Sequence, residues 1–154
     1  MKPTPSIAAP ASVWDRLASP DAGGPGNSLS PDQLKRAITR DLEALLNTRV
    51  AIPEGDLAAT PHVRNSIVNF GLTDFAQLCL AGSDDRKTIC DRLQSAIARH
   101  EPRLSHVRVH LTGEPGVVNR LSFVVAAELR ACTAGQTIRF DISLEPSSLH
   151  YHIT

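Results

Sequence analysis

IARHEPRLSHVRV, residues 97–109, is where the chain changes its period, and its reading decides the fold. Upstream, Ile89, Cys90, Leu93 and Ile97 recur at helical spacing, behind Asp84 and Asp85, which complement the N-terminus of a helix beginning near Ser83. Pro102 stops that helix, because the residue before a proline is driven out of the helical region. Downstream, Val107, Val109 and Leu111 alternate with Arg108 and His110, the period of a strand with one buried face. Glu101 therefore stands at a helix C-terminus, usually the wrong end for an acid, and Arg103 follows along what should be extended chain. This corner is a candidate catalytic acid, structural latch or contact for another protein.

Working outward, the alternation continues. Beyond the turn signal Gly113-Glu114-Pro115-Gly116 come Leu121, Phe123, Val125, Ala127 and Leu129, then Ile138, Phe140, Ile142 and Leu144. Leu149, Tyr151 and Ile153 form a possible fourth run, with almost nothing after it, which leaves that strand free to pair outward. Toward the N-terminus, Ser30-Pro31-Asp32-Gln33 supplies an N-cap, a proline at N1 and a capping-box glutamine. Leu34, Ile38, Leu42, Leu45 and Leu46 continue it at helical spacing until Asn47-Thr48-Arg49. On that helix Arg40, Asp41 and Glu43 read as a solvated face. Pro53, Gly55, Pro61, Gly71 and Gly82 break up residues 50–82, leaving room for a short helix around 62–68. Helices first and strands last predict an α+β fold, with N-terminal helices packed on one face of an antiparallel sheet of three to four strands.

A chain of 154 residues is long enough for one domain, placed at 30–154. Residues 1–29 read as a flexible arm, interrupted by SVWDRL at 12–17, where Val13, Trp14 and Leu17 share a face. Trp14 and Leu17 either fold back onto the domain or dock on a partner. Zero formal net charge argues against a nucleic-acid backbone as partner. No run of about 18 apolar residues is available to span a membrane. The N-terminus has no signal-peptide core, and three cysteines without CxxC spacing suit free thiols in a cytosolic protein.

Chemistry is sparse. His150 and His152 share one side of a strand, and His106 and His110 share one side of another, so two strands could bring four imidazoles together as a metal site. Their apolar neighbours place them instead on a solvated face, and no metal or cofactor is expected. No nucleophile motif is present. A glycosidase would need two carboxylates, Glu101 with Asp74 or Glu114. Arg103 beside Glu101 would lower the pKa that a proton donor needs raised, and 4% aromatic content provides few platforms for sugars. No catalytic residue is assigned, although a peptidoglycan hydrolase using Glu101 stands as the alternative.

Taken in order, SVWDRL, RDLEALLNTR at 40–49, SIVNFGLTDF at 66–75, DRLQSAIARHEPRL, VRVHL and IRFDISLEP resemble the TssE family of type VI secretion baseplate subunits. That family is related to the contractile-phage wedge proteins often called lysozyme-like. The chain departs from its usual pattern at Trp14, commonly Phe, and at Phe70 and Thr73 of the glycine motif, commonly Tyr and Pro. The resemblance implies a non-catalytic structural role in a cytoplasmic baseplate docked at the inner membrane. It implies partners of the TssF, TssG and TssK types, and seeding of a TssB–TssC-type sheath. It places Glu101, Pro102 and Arg103 at the contact with the TssF-type subunit. Trp14 and Leu17 are the candidate docking peptide, and Leu149, Tyr151 and Ile153 the candidate strand edge for a sheath arm.

Overall fold

The computed structural model describes Leu17 and residues 29–57, 59–73, 83–112, 121–130, 136–145 and 148–154. Trp14, Asp74, Glu114, Cys79 and Cys132 lie outside these residues.

Helix α1 (Pro31–Asn47) begins as its sequence dictates. Ser30 is extended, its hydroxyl accepts from the Gln33 N–H at 3.2 Å, and its own N–H donates to Gln33 Oε1 at 2.9 Å. This reciprocal pair satisfies two N–H groups that the first turn cannot. The helix buries Leu34, Ala37, Ile38, Leu42, Leu45 and Leu46, and ends where Thr48 turns extended. Two short helical turns follow, α2 (Glu54–Leu57) and α3 (Pro61–Arg64), then a 3-10 turn, Ile67–Asn69. The sequence predicts a single helix over 62–68, and the structure divides it at Ser66. Ser66 is extended, its hydroxyl donates to the Val63 carbonyl at 2.8 Å, and it accepts from the Val68 N–H, closing one turn and capping the next.

Helix α4 (Ser83–His100) runs directly into the sheet. Strands β1 (Leu104–Thr112), β2 (Leu121–Leu129), β3 (Thr137–Glu145) and β4 (His150–Ile153) form one antiparallel meander in the order β1-β2-β3-β4. The two long helices and one face of the sheet enclose a single core, in which Phe123, Phe140 and Tyr151 are the largest fully buried side chains. Burial of such a side chain contributes about 1.5–3 kcal/mol. α4 packs along β1 and α1 along β4, so each long helix lies nearest an edge strand. The fold is α+β.

Two details depart from strict alternation. A bulge between Ser105 and Arg108 shifts the β1–β2 register, with His106 at φ 50°. Leu149 stands before β4 rather than in it, at φ 53° and half exposed, so it does not continue the buried face of Tyr151 and Ile153.

Candidate functional site

The corner after α4 is a turn, not extended chain. The Glu101 N–H still donates to the Ile97 carbonyl at 2.9 Å, and the Glu101 carbonyl accepts from the Leu104 N–H at 3.1 Å. Pro102 occupies the first central position of that four-residue turn, where its fixed φ fits, and is exposed at its tip. The turn folds Arg103 back onto Glu101. Arg103 Nε donates to Glu101 Oε1 at 2.6 Å, Nη2 donates to Oε2, and the Arg103 N–H also donates to Oε1 at 3.1 Å. Two parallel N–H···O bonds make a bidentate pair, the strong form of this contact.

A third member comes from α1. Arg103 Nη2 also donates to Asp41 Oδ2 at 2.6 Å, and Asp41 Oδ1 accepts from Arg40 at 2.9 and 3.0 Å. Glu101 is 4% exposed and the Arg103 side chain 12%, so the pair is almost out of water. Burial works against the Arg103 charge, but the bonds and charges of Glu101, then of Asp41, outweigh it and hold the pKa above the usual arginine value. Arg103 Nη1 is buried without an acceptor among the described residues, a cost the latch carries. The intramolecular latch is thus present within the single chain.

Asp41 is the residue the sequence reading misassigned to a solvated face. A signal for it exists: Asp41 lies four residues from both Ala37 and Leu45, which are buried, so it interrupts the apolar stripe itself. Glu43, also read as solvated face, and Asn47, read only as the end of the helix, both reach β4.

The motif SIVNFGL braces the helix side of the corner. The Asn69 carbonyl accepts from His100 Nε2 at 2.9 Å, which places the ring proton on that nitrogen, and Phe70 packs edge-on against the same ring at 5.4 Å. Asn69 is itself buried, and its side-chain amide donates to the Arg64 carbonyl at 2.9 Å. Gly71 follows at φ +123°, where a Cβ would stand 2.6 Å from the Thr48 carbonyl oxygen. Only glycine lets this loop close on the end of α1, where the Leu72 N–H donates to the Thr48 carbonyl and the Val50 N–H to the Leu72 carbonyl.

The candidate strand edge is different from its sequence reading. Tyr151 and Ile153 are core side chains, and their outward backbone groups are not free. The Tyr151 N–H donates to Asn47 Oδ1 at 2.8 Å, and its carbonyl accepts from Asn47 Nδ2 at 3.0 Å. The Ile153 N–H faces Glu43 Oε1 at 3.4 Å, and the Leu149 carbonyl accepts from Arg49 at 3.0 Å. An amide carries one donor and one acceptor at the spacing of a peptide group, so Asn47 mimics the neighbouring strand that β4 lacks. The four histidines are not gathered either. His106 and His110 lie on β1 and His150 and His152 on β4, at opposite edges of the sheet. His150 and His152 stack at 5.0 Å on the solvated face. Leu17, the described member of the docking peptide, is 71% exposed.

The model of the gp25 baseplate wedge proteins matches residues 32–134, from the first turn of α1 past the end of β2, and the chain belongs to this family. Among solved structures, a Geobacter sulfurreducens protein called a tail lysozyme shares the fold. It aligns with a TM-score of 0.51 at 13% identity, over 77% of this chain and 96% of that one. No curated protein matches. Membership implies association with other baseplate components. No helix among the described residues is long and apolar enough to cross a membrane.

Proposed function

We propose that this chain is the TssE-type subunit of a type VI secretion baseplate, a non-catalytic joint. It joins TssF-, TssG- and TssK-type subunits in a wedge on the cytoplasmic side of the inner membrane, and its sheet seeds the first ring of a TssB–TssC-type sheath. The observation that carries the reading is the match to the baseplate wedge family from α1 through the corner and past the end of β2. The Glu101–Arg103 latch supports a contact role: it sets the turn rigidly, with Pro102 presented at its tip.

The hydrolase alternative has little to work with. Both Glu101 oxygens accept from Arg103, and Glu101 does not line the cleft of about 360 Å³ bounded by Val50, Asn69, Thr73, Arg92 and Arg99. A general acid needs access to the atom it protonates.

Pro102→Asp tests the reading, since the position is exposed and the substitution leaves the latch in place. The variant should melt within a few degrees of the parent and fail to co-purify with the TssF-type subunit. Unchanged co-purification would remove the corner from the interface. Clearing of cell-wall suspensions by the parent, lost in Glu101→Gln, would restore the enzyme.

A further inference from the structure

His150 and His152 alternate along β4 with the core side chains Tyr151 and Ile153, so both imidazoles stand exposed on the face of the sheet away from the core. Their ring centroids are 5.0 Å apart and their planes are inclined at 35°. That separation has a chemical meaning. An ion held by two imidazoles lies about 2.0–2.1 Å from each nitrogen, and its ligands open to about 90–109° in square-planar or tetrahedral geometry. The two ring centroids then fall roughly 4.5–5.2 Å apart. The β4 pair already stands within that interval. The β1 histidines are different: they are four residues apart, a register shift falls between them, and His106 is turned to Glu128 at 3.1 Å.

The surroundings of the pair favour the same chemistry. His150 Nδ1 lies 3.1 Å from the Tyr151 carbonyl oxygen, which can only accept, so Nδ1 carries the proton and Nε2 keeps its lone pair. A metal-binding histidine almost always has its other nitrogen held in this way. The anchor is itself fixed, because Tyr151 is a core residue and its carbonyl also accepts from Asn47. Charge comes from β3, whose register sets Glu145 opposite His150 and Ser143 opposite His152 on the same face. Glu145 Oε2 accepts from Ser148 Oγ at 3.1 Å, and the carboxylate favours a cation beside His150. No group of three or more metal-ligating side chains gathers among the described residues, so the two imidazoles are the protein's whole share and water takes the other positions.

We propose that His150 and His152 form a two-histidine chelate for a divalent late transition metal, of the nickel, copper and zinc class, on the open face of β4. Imidazole nitrogen suits these ions, whereas magnesium seeks oxygen ligands. Two nitrogens on one strand act as a unit: once the first holds the ion, the second meets it at a high effective concentration. The site stands whether or not the subunit joins TssF-type partners.

Titration of the full chain with nickel(II), followed by calorimetry and by the amide NMR spectrum, tests this. One ion should bind per chain, and its paramagnetism should broaden the amides of 143–145 and 150–153 first. His150→Asn and His152→Asn, each at an exposed position, should each weaken binding roughly tenfold or more. His106→Asn with His110→Asn should leave the affinity as in the parent, and magnesium(II) should shift none of the β4 amides. Broadening of the parent centred on β1 or around Cys90, or single β4 variants that bind as the parent does, would overturn the chelate. Magnesium binding at β4 would overturn imidazole as the ligand.

Discussion

At Arg103 the physics of buried ion pairs sets what each substitution does. Removing the guanidinium leaves Glu101, 4% exposed, as a carboxylate out of water with no cation, a loss of about 3–5 kcal/mol. Arg103→Ala should therefore lower the urea midpoint strongly, and loss of assembly in that variant would report folding as much as contact. Arg103→Lys keeps the charge but cannot bridge Glu101 and Asp41 with a planar fork, so its loss should fall between wild type and alanine. Equal midpoints for Lys and Ala would mean that the geometry of the fork is irrelevant. Arg40 differs: its side chain is half exposed, and a surface pair of that kind contributes about 1 kcal/mol at most.

Among the elements, the loop from the 3-10 turn to Leu72 does the most with the fewest residues. It joins the end of α1 to the end of α4 through Gly71, Asn69 and Phe70. Gly71→Ala should cost about 1–3 kcal/mol, since the new Cβ meets backbone that cannot step aside and the φ is one that side chains resist. Thermal unfolding measures it, and a melting temperature unchanged within a degree would show that the loop closes some other way. The glycine in NFGL is thus required by geometry. Bulging at β1 and side-chain capping at both edges follow the general management of exposed strand edges, which otherwise pair with whatever is near.

For the whole molecule, stability should depend on pH through His100. Burial pushes its imidazole below the ordinary 6.5, the Asn69 carbonyl pulls in the opposite direction, and Arg99 pushes it down further. A lowered folded pKa means that the unfolded chain binds more protons, so stability rises with pH across the window between the two values. The contribution is complete above about pH 6.5 and is lost as the pH falls from there through the folded value. Between pH 7 and 5 the wild type should lose more stability than His100→Gln, which keeps a donor for Asn69 but does not titrate. Parallel pH profiles would exclude His100 as the source.

By itself the sequence determined the class of fold, because that depends on local periods. The capping box at Ser30, the stripe of α1, the stop at Pro102 and the alternation of β1 to β3 are each written within a few neighbouring residues. The same is true of the histidines on β1 and β4, whose exposure follows from their apolar neighbours. What only the tertiary structure decided are the contacts between residues far apart in the chain. Asp41 completes the latch from 62 positions away, and Asn47 closes β4 from 104. A carboxylate or an amide on a helix looks the same to its neighbours whether it meets water or a distant backbone. Which it meets is settled by packing the helices onto the sheet.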